Sequence, residues 1–423
     1  MIHMNVRGRS ALIAGGVGAA LVLAAAANGA SAAPTPAPKA STASVACAPT
    51  PGVDNSSIKL GIVFPKSVVS YAGFDSAAKL RVDQQNAKGG VNGRKLVLST
   101  YDDAANAATQ VTVANKAIQQ DQMFGIMSAS TVDTMYNTLK SNNVPVTGLP
   151  NLPAYTTDRN TFGVYGPFTP NLSSTVLGDK FKDLGATNIA TLNHVSPAAT
   201  AAGNAFVAIE PLSGLTNSLR ITDLPLGTYD ATSTALRIRQ TGSDGVNAVL
   251  LPEGGVSLGQ ALKQQGVNLK AYTIPALTDP ALVAKAGAAV EGVFSSPYGT
   301  VPVDVNKPAV RTYKNGMKAA GLNPYLSFAP LGFVAADLMI KGLQLAGKCP
   351  TRQGFIDNLR KLDKYDGAGM LPGNAGFAPS IYSPLGHGPG CTWYVTIKNG
   401  YPVPDAKPIC GKTIDLATMK VIG

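Results

Sequence analysis

From residue 58 onward, short apolar runs alternate with longer amphipathic stretches almost to the end of the chain. The runs at 58–64, 96–100, 124–127 and 144–147 have the length and side-chain character of buried strands, and helices are predicted between them over 76–86, 104–120 and 131–141. A turn-rich stretch at 162–169 interrupts the pattern. A second alternation follows, with a helix ending at 184, a strand at 188–192, a helix from 198, a strand at 219–221, a helix from 232 and a strand at 248–251. Ile274 and residues 293–294 supply the last strands of that series, and helices are predicted over 307–320 and 330–346. Asn399-Gly400 then marks a hairpin. Strands separated by helices predict mainly parallel sheets covered on their faces, an α/β fold in two lobes with no sequence repeat between them.

The sharpest local wording is NAKGGVNGRKLVLSTYDD at 86–103, where Gly89 and Gly90 suit positive φ and Asn92-Gly93 makes a tight turn into the next strand. With Tyr101-Asp102-Asp103-Ala104, Val113-Ala114-Asn115-Lys116 and Phe124-Gly125-Ile126, this region resembles the branched-chain amino-acid-binding proteins that feed ATP-binding-cassette (ABC) importers. The resemblance is strong over 58–150 and looser afterwards. It implies a type 1 periplasmic-binding-protein fold, with each lobe a mainly parallel sheet flanked by helices and with hinge crossings between lobes. Lobe 1 would hold 58–166 and 298–365, and lobe 2 would hold 167–297 and 366–423. It further implies a monomer that takes a small-molecule ligand and hands it to a membrane permease, with no enzyme activity and no cofactor.

The N-terminus fits an exported protein. His3, Arg7 and Arg9 precede an uncharged apolar run over 11–27, and Ala30-Ser31-Ala32 offers a cleavage site, so residues 1–32 read as a signal peptide. That run is Ala- and Gly-rich and at the short edge for a membrane anchor. Residues 33–57, rich in Ala, Pro, Ser and Thr, read as a disordered leader. Cys47 lies too far past the apolar run for lipoprotein processing, and Ser44-Val45-Ala46 is a poor lipobox. An oxidising compartment makes two disulfides the default for Cys47, Cys349, Cys391 and Cys410. Three pairings are open. Cys391 and Cys410 bracket the hairpin, which favours joining them; Cys47 would then meet Cys349, which the resemblance places in the same lobe. His387 near Cys391 does not have zinc-motif spacing. The net charge of +11 falls to +9 without Arg7 and Arg9, but the cations are scattered singly or in pairs, which argues against nucleic acid.

Ligand chemistry is expected outside the carboxyl ends of the strands. Ser128, Ala129 and Ser130 follow the strand at 124–127 and precede the helix predicted from 131, so hydroxyls and N–H groups at a positive helix end suit an anionic head group. The resemblance assigns the ligand carboxylate there, and assigns further contacts to Gly148, Leu149 and Asn151 and to Ser70 and Tyr71. In lobe 2 the family's Asp and Tyr-Gly are replaced by Asn193-His194-Val195-Ser196, leaving Ser196 as a contact. Glu253 is the one acid expected at a cleft-facing strand end. The ligand is therefore an amino acid borne by Glu253 or a related small carboxylate or amide. Asp103 reads as a helix cap.

A rival reading is a secreted α/β-hydrolase, since Gly255-Val256-Ser257-Leu258-Gly259 fits G-x-S-x-G and His387 follows in order. Its context is poor. Four residues, Pro252, Glu253 and two glycines, intervene after the strand end at Leu251 before Val256-Ser257, and no HGGG-type oxyanion loop precedes the motif.

Overall fold

The computed structural model describes residues 47–423. The expected signal peptide, its cleavage site and the leader up to Ala46 lie outside the described residues. Strands β1 (Ser57–Phe64), β2 (Lys95–Asp102), β3 (Gly125–Ser128), β4 (Val146–Gly148) and β5 (Thr161–Gly163) form one parallel sheet in the order β2-β1-β3-β4-β5. After β6 (Leu172–Ser174), a second sheet gathers β7 (Asn188–His194), β8 (Thr216–Leu224), β9 (Gly245–Val249), β10 (Ala271–Thr273) and β11 (Phe294–Ser295) in parallel. Beyond β12 (Cys391–Thr392), the hairpin β13 (Val395–Lys398) and β14 (Tyr401–Pro404) extends that sheet antiparallel beside β11. The last strands, β15 (Ile409–Cys410), β16 (Thr413–Asp415) and β17 (Lys420–Val421), form small pairs, β16 with β6 and β15 with β12. Cys391 and Cys410 are directly opposed in the last of these and are bonded, as are Cys47 and Cys349.

The inner strands of each sheet are buried on both faces, and an apolar cluster packs on either side of each sheet. The helix Ala329–Leu345 runs through the first core with nearly every residue buried. Its Gly332 lies so close to the first helix, Phe74–Ala87, that a Cβ would sit 1.9 Å from the Phe74 carbonyl oxygen.

Several expectations need correction. The leader does not stay free to residue 57: the Cys47–Cys349 bond ties it down, Lys59 N–H donates to the Gly52 carbonyl, and Asp54 accepts from the N–H groups of Ser56 and Ser57, both at 2.7 Å. The Ser57 hydroxyl, which donates to Asp54 Oδ2 at 2.7 Å, and then those N–H groups and the Ser56 hydroxyl hold the Asp54 carboxyl well below the usual carboxylate range. The stretch from 366, expected with the second lobe, sends Met370, Leu371, Ala375 and Phe377 into the first core, and the chain joins the second sheet only at Val395. The helix expected over 131–141 is confined to Tyr136–Ser141. Its first turns are lost because the Gln110 amide takes their backbone groups, donating to the Val132 carbonyl and accepting from Met135 N–H. Asn106, not Asp103, caps the helix Ala107–Asn115 by accepting from Thr109 N–H. Finally, β9 stops at Val249 and a helix, Pro252–Gln264, starts at once with Pro252 in its first turn.

Candidate functional site

The carboxyl ends of β3 and β4 face those of β7 and β9 across a cleft that encloses a cavity of about 360 Å³. Its wall is mostly aromatic. Tyr71, in the short turn Val69–Tyr71, stacks on Phe328 with ring centroids 4.2 Å apart, and Phe328 in turn meets Tyr298 at 5.2 Å. Tyr165 and Phe168, just beyond β5, and Leu149, Leu226 and Leu250 complete the apolar lining. Burial raises the phenols of Tyr71, Tyr165 and Tyr298 far above their ordinary range, so each hydroxyl remains protonated.

Tyr298 sits where turn chemistry disfavours it. Thr300 N–H closes a tight turn on the Pro297 carbonyl at 2.9 Å, with φ of 38° at Tyr298 and 74° at Gly299. Asn or Gly normally takes the first of those left-handed positions. A bulky residue held there at the cavity wall is local strain coincident with the site.

The polar groups at the cavity are Thr131, Asn151, Thr169, His194, Ser196 and the tyrosine hydroxyls, and among the described residues no Asp, Glu, Lys or Arg lines it. His194 ends β7, and its Nε2 accepts from Leu251 N–H at 2.9 Å, which fixes the neutral tautomer with the proton on Nδ1. Burial lowers its pKa, partly offset by the backbone of Pro225 and Leu224. Ser196 caps the helix Pro197–Ile209 by accepting from Ala199 N–H, and Ala198 and Ala199 line the cavity, so the positive end of that helix faces it.

The expected residues divide sharply. Tyr71, Leu149, Asn151 and Ser196 line the cavity. Ser128, Ala129 and Gly148 are buried beneath it, where β3 and β4 approach so closely that a Cβ on Gly148 would lie 1.9 Å from the Ser128 carbonyl oxygen. Ser130 faces inward: its hydroxyl donates to Asp103 Oδ2 and accepts from Gln110 Nε2 and Val132 N–H. The helix that was to give it a positive end begins six residues later, at Tyr136. Ser130 is thus a buried pin between Asp103 and Gln110. Accordingly, Ser130→Ala is expected to lower unfolding free energy by about 1–3 kcal/mol, by leaving Asp103 and Gln110 short of a partner, while changing solute affinity little. Chemical denaturation beside calorimetry reads both effects.

Ser70 and Glu253 meet each other. Ser70 Oγ donates to Glu253 Oε2 at 2.6 Å, spanning the cleft at its rim, and Ser327 Oγ reaches the Ala276 carbonyl at 3.0 Å nearby. Both bonds join the first lobe to the second. Glu253 is exposed in the first turn of its helix instead of ending a strand. The hydrolase constellation does not assemble. Ser257 lies within the helix Pro252–Gln264, exposed, with its hydroxyl donating to the Glu253 carbonyl. His387 stands 3.5 Å from Asp363 and packs elsewhere.

Sequence reasoning missed Tyr165, Tyr298, Phe328 and His194. Pro297-Tyr298-Gly299 carried a visible turn signal, but nothing nearby showed that the ring faces a cavity.

The sequence pattern of a family described as periplasmic binding protein matches residues 57–402. No curated protein sequence matches the chain. Among solved structures, the fatty acid ABC transporter substrate-binding protein from Thermomonospora curvata aligns with a TM-score of 0.72 at 18% identity, covering 89% of this chain and 97% of its own. An ABC transporter solute-binding protein from Rhodopseudomonas palustris HaA2, in complex with p-hydroxybenzoic acid, gives 0.68 at 18%, covering 84% and 98%. A branched-chain amino acid ABC transporter from Thermus thermophilus with bound valine gives 0.70 at 15%, covering 84% and 97%. At these identities the likeness is one of fold.

Proposed function

Because the chain belongs to the periplasmic binding protein family, we propose that it is the extracytoplasmic solute-binding component of an ABC importer, and that its solute is an apolar-bodied monocarboxylate. It is not an enzyme; proteins of this kind bind and deliver. The reading rests on one observation above all: an aromatic and aliphatic cavity of about 360 Å³ with no charged side chain among the described residues that line it. An α-amino acid brings an ammonium that needs a compensating carboxylate, since an unpaired charge costs several kcal/mol in a closed cleft. Glu253 lies outside that lining, bonded to Ser70 at the rim.

A carboxylate finds better terms. The helix Pro197–Ile209 directs its positive end at the cavity, with Ser196 and the Ala198 N–H as donors. Rings or alkyl groups then fill the space between Tyr71, Tyr165, Tyr298 and Phe328. One solved structure of the same fold is in complex with p-hydroxybenzoic acid and another is described as a fatty acid ABC transporter substrate-binding protein, which accords with such a solute. Closure is a two-state equilibrium that solute shifts by favouring the closed form. The closed form is what a membrane permease would receive, and the signal peptide read over 1–32 would carry a monomer to that place.

Calorimetry with benzoate and hexanoate against leucine and valine tests the class. Binding heat from the acids and none from the amino acids is expected. Tight leucine binding that weakens by about 2 kcal/mol or more in Glu253→Gln would overturn it, because Glu253 would then have left Ser70 to bear an ammonium.

A further inference from the structure

A second hollow of about 330 Å³ lies at the cleft rim, with Val69 and Ser70 on the first lobe and Thr228, Tyr229 and Glu253 on the second. It adjoins the inner cavity, since Leu226 and Leu251 line both. The Ser70–Glu253 hydrogen bond stands at this rim, beside the shared leucines. Val69 is 76% exposed and Leu226 41% exposed, so each lobe offers a large apolar side chain to water at this mouth. An isolated exposed Val or Leu is ordinary. Two of them from opposite lobes, bordering a hollow that prolongs a solute cavity, are not explained by chance exposure.

The rim has a definite chemistry. Tyr229 OH is committed to the Gly254 carbonyl at 2.8 Å, and Ser257 Oγ to the Glu253 carbonyl at 3.0 Å. Glu253 uses Oε2 for Ser70, and its Oε1 has no hydrogen-bond donor among the described residues. The hollow thus offers apolar walls and one acceptor oxygen with negative charge. It accommodates an alkyl chain ending in a methyl or a hydroxyl, and it repels an anionic end.

We propose that this hollow is an outer subsite in series with the inner cavity, so that the solute is an elongated monocarboxylate with a neutral far end. The proposal rests on the monocarboxylate reading above and sharpens it. The carboxylate lies inward at Ser196 and Ala198, the chain passes Leu226 and Leu251, and its far end lies between Val69 and Glu253. Ser70 and Glu253 then part or rotate to admit the chain, and Glu253 selects against a second carboxylate.

Calorimetry with hexanoate, dodecanoate, 12-hydroxydodecanoate and dodecanedioate decides it. Dodecanoate should bind at least about tenfold more tightly than hexanoate, because the added methylenes leave water in the outer subsite. Dodecanedioate should bind at least about tenfold more weakly than 12-hydroxydodecanoate, and Glu253→Gln should close that gap. Val69→Asp should weaken dodecanoate about tenfold more than it weakens hexanoate. Hexanoate binding with no gain for dodecanoate would overturn the outer subsite and leave the monocarboxylate reading standing. Val69→Asp weakening both acids alike would also overturn it. Silence of every carboxylate would overturn both.

Discussion

Replacing Arg360 by leucine should cost about 3 kcal/mol of unfolding free energy, because four backbone carbonyls lose a charged donor at once. Arg360 follows the helix Arg352–Leu359 and is 5% exposed. Its Nε donates to the Arg159 carbonyl at 2.9 Å and its Nη1 to the Leu385 carbonyl at 2.8 Å, while Nη2 reaches the carbonyls of Asp158 and Thr161. The guanidinium also lies over the Phe162 ring, 4.1 Å from its centroid. Among the described residues no acid pairs with it, and burial, helped by the charge of Arg159, pushes its pKa down to about 9. Bonds from a charged donor are worth about 1.5–3 kcal/mol each, and relief of the buried charge offsets only part of their loss. Lysine should rescue little, since one ammonium cannot fork to carbonyls on two segments. The same bonds anchor the turn that enters β5, and β5 leads directly to Tyr165 and Phe168 in the cavity wall. Urea unfolding of Arg360→Leu and Arg360→Lys measures the loss. A cost below about 1 kcal/mol would mean that the four carbonyls find other partners.

Strands β1 and β3 were legible because they are largely buried on both faces and therefore read as plain apolar runs, from Ile58 to Phe64 and from Phe124 to Met127, whereas β5 began in a stretch that read as turns. The disulfide partners were legible for a related reason. The Asn399-Gly400 turn fixes a hairpin whose flanks bring Cys391 opposite Cys410, leaving Cys47 and Cys349 for each other. What stayed hidden depends on side chains distant in sequence. Ser130 looked like a helix start, yet Gln110, twenty residues upstream, claims the backbone that the helix would have used. Glu253 looked like a strand end, although Pro252 before it was the available sign of a helix start. The aromatic wall joins Tyr71, Tyr165, Tyr298 and Phe328, which no local pattern relates to one another. Charge-poor loops were visible in the sequence, and their convergence on one cavity was not.

Glu210→Gln should stabilise the protein at alkaline pH and leave its stability in acid nearly unchanged. Glu210 opens the turn Glu210–Ser213 behind β7 and β8 and is 1% exposed. Its carboxyl accepts from Asn217 Nδ2 at 3.1 Å and from Thr191 Oγ1 at 3.5 Å, both neutral donors. Arg220 is near enough to favour the anion, but its guanidinium donates to the carbonyls of Thr191 and Ile221 and to Asn204 instead. Burial dominates and lifts the carboxyl from 4.5 to about 7. A carboxyl raised in the folded state binds its proton more tightly there than in the unfolded chain. Its contribution is therefore fully present below pH 4.5 and is lost as pH rises to about 7. The gap corresponds to about 3 kcal/mol, and glutamine, which keeps the shape and stays neutral, should recover most of that at pH 8.5. At pH 4 the parent is already protonated in both states, so the variant should gain little. Urea midpoints of the two proteins at each pH give the comparison. An equal gain at both pH values, or a loss at pH 8.5, would mean that Arg220 compensates the buried charge in full and that the folded carboxyl does not titrate near neutrality.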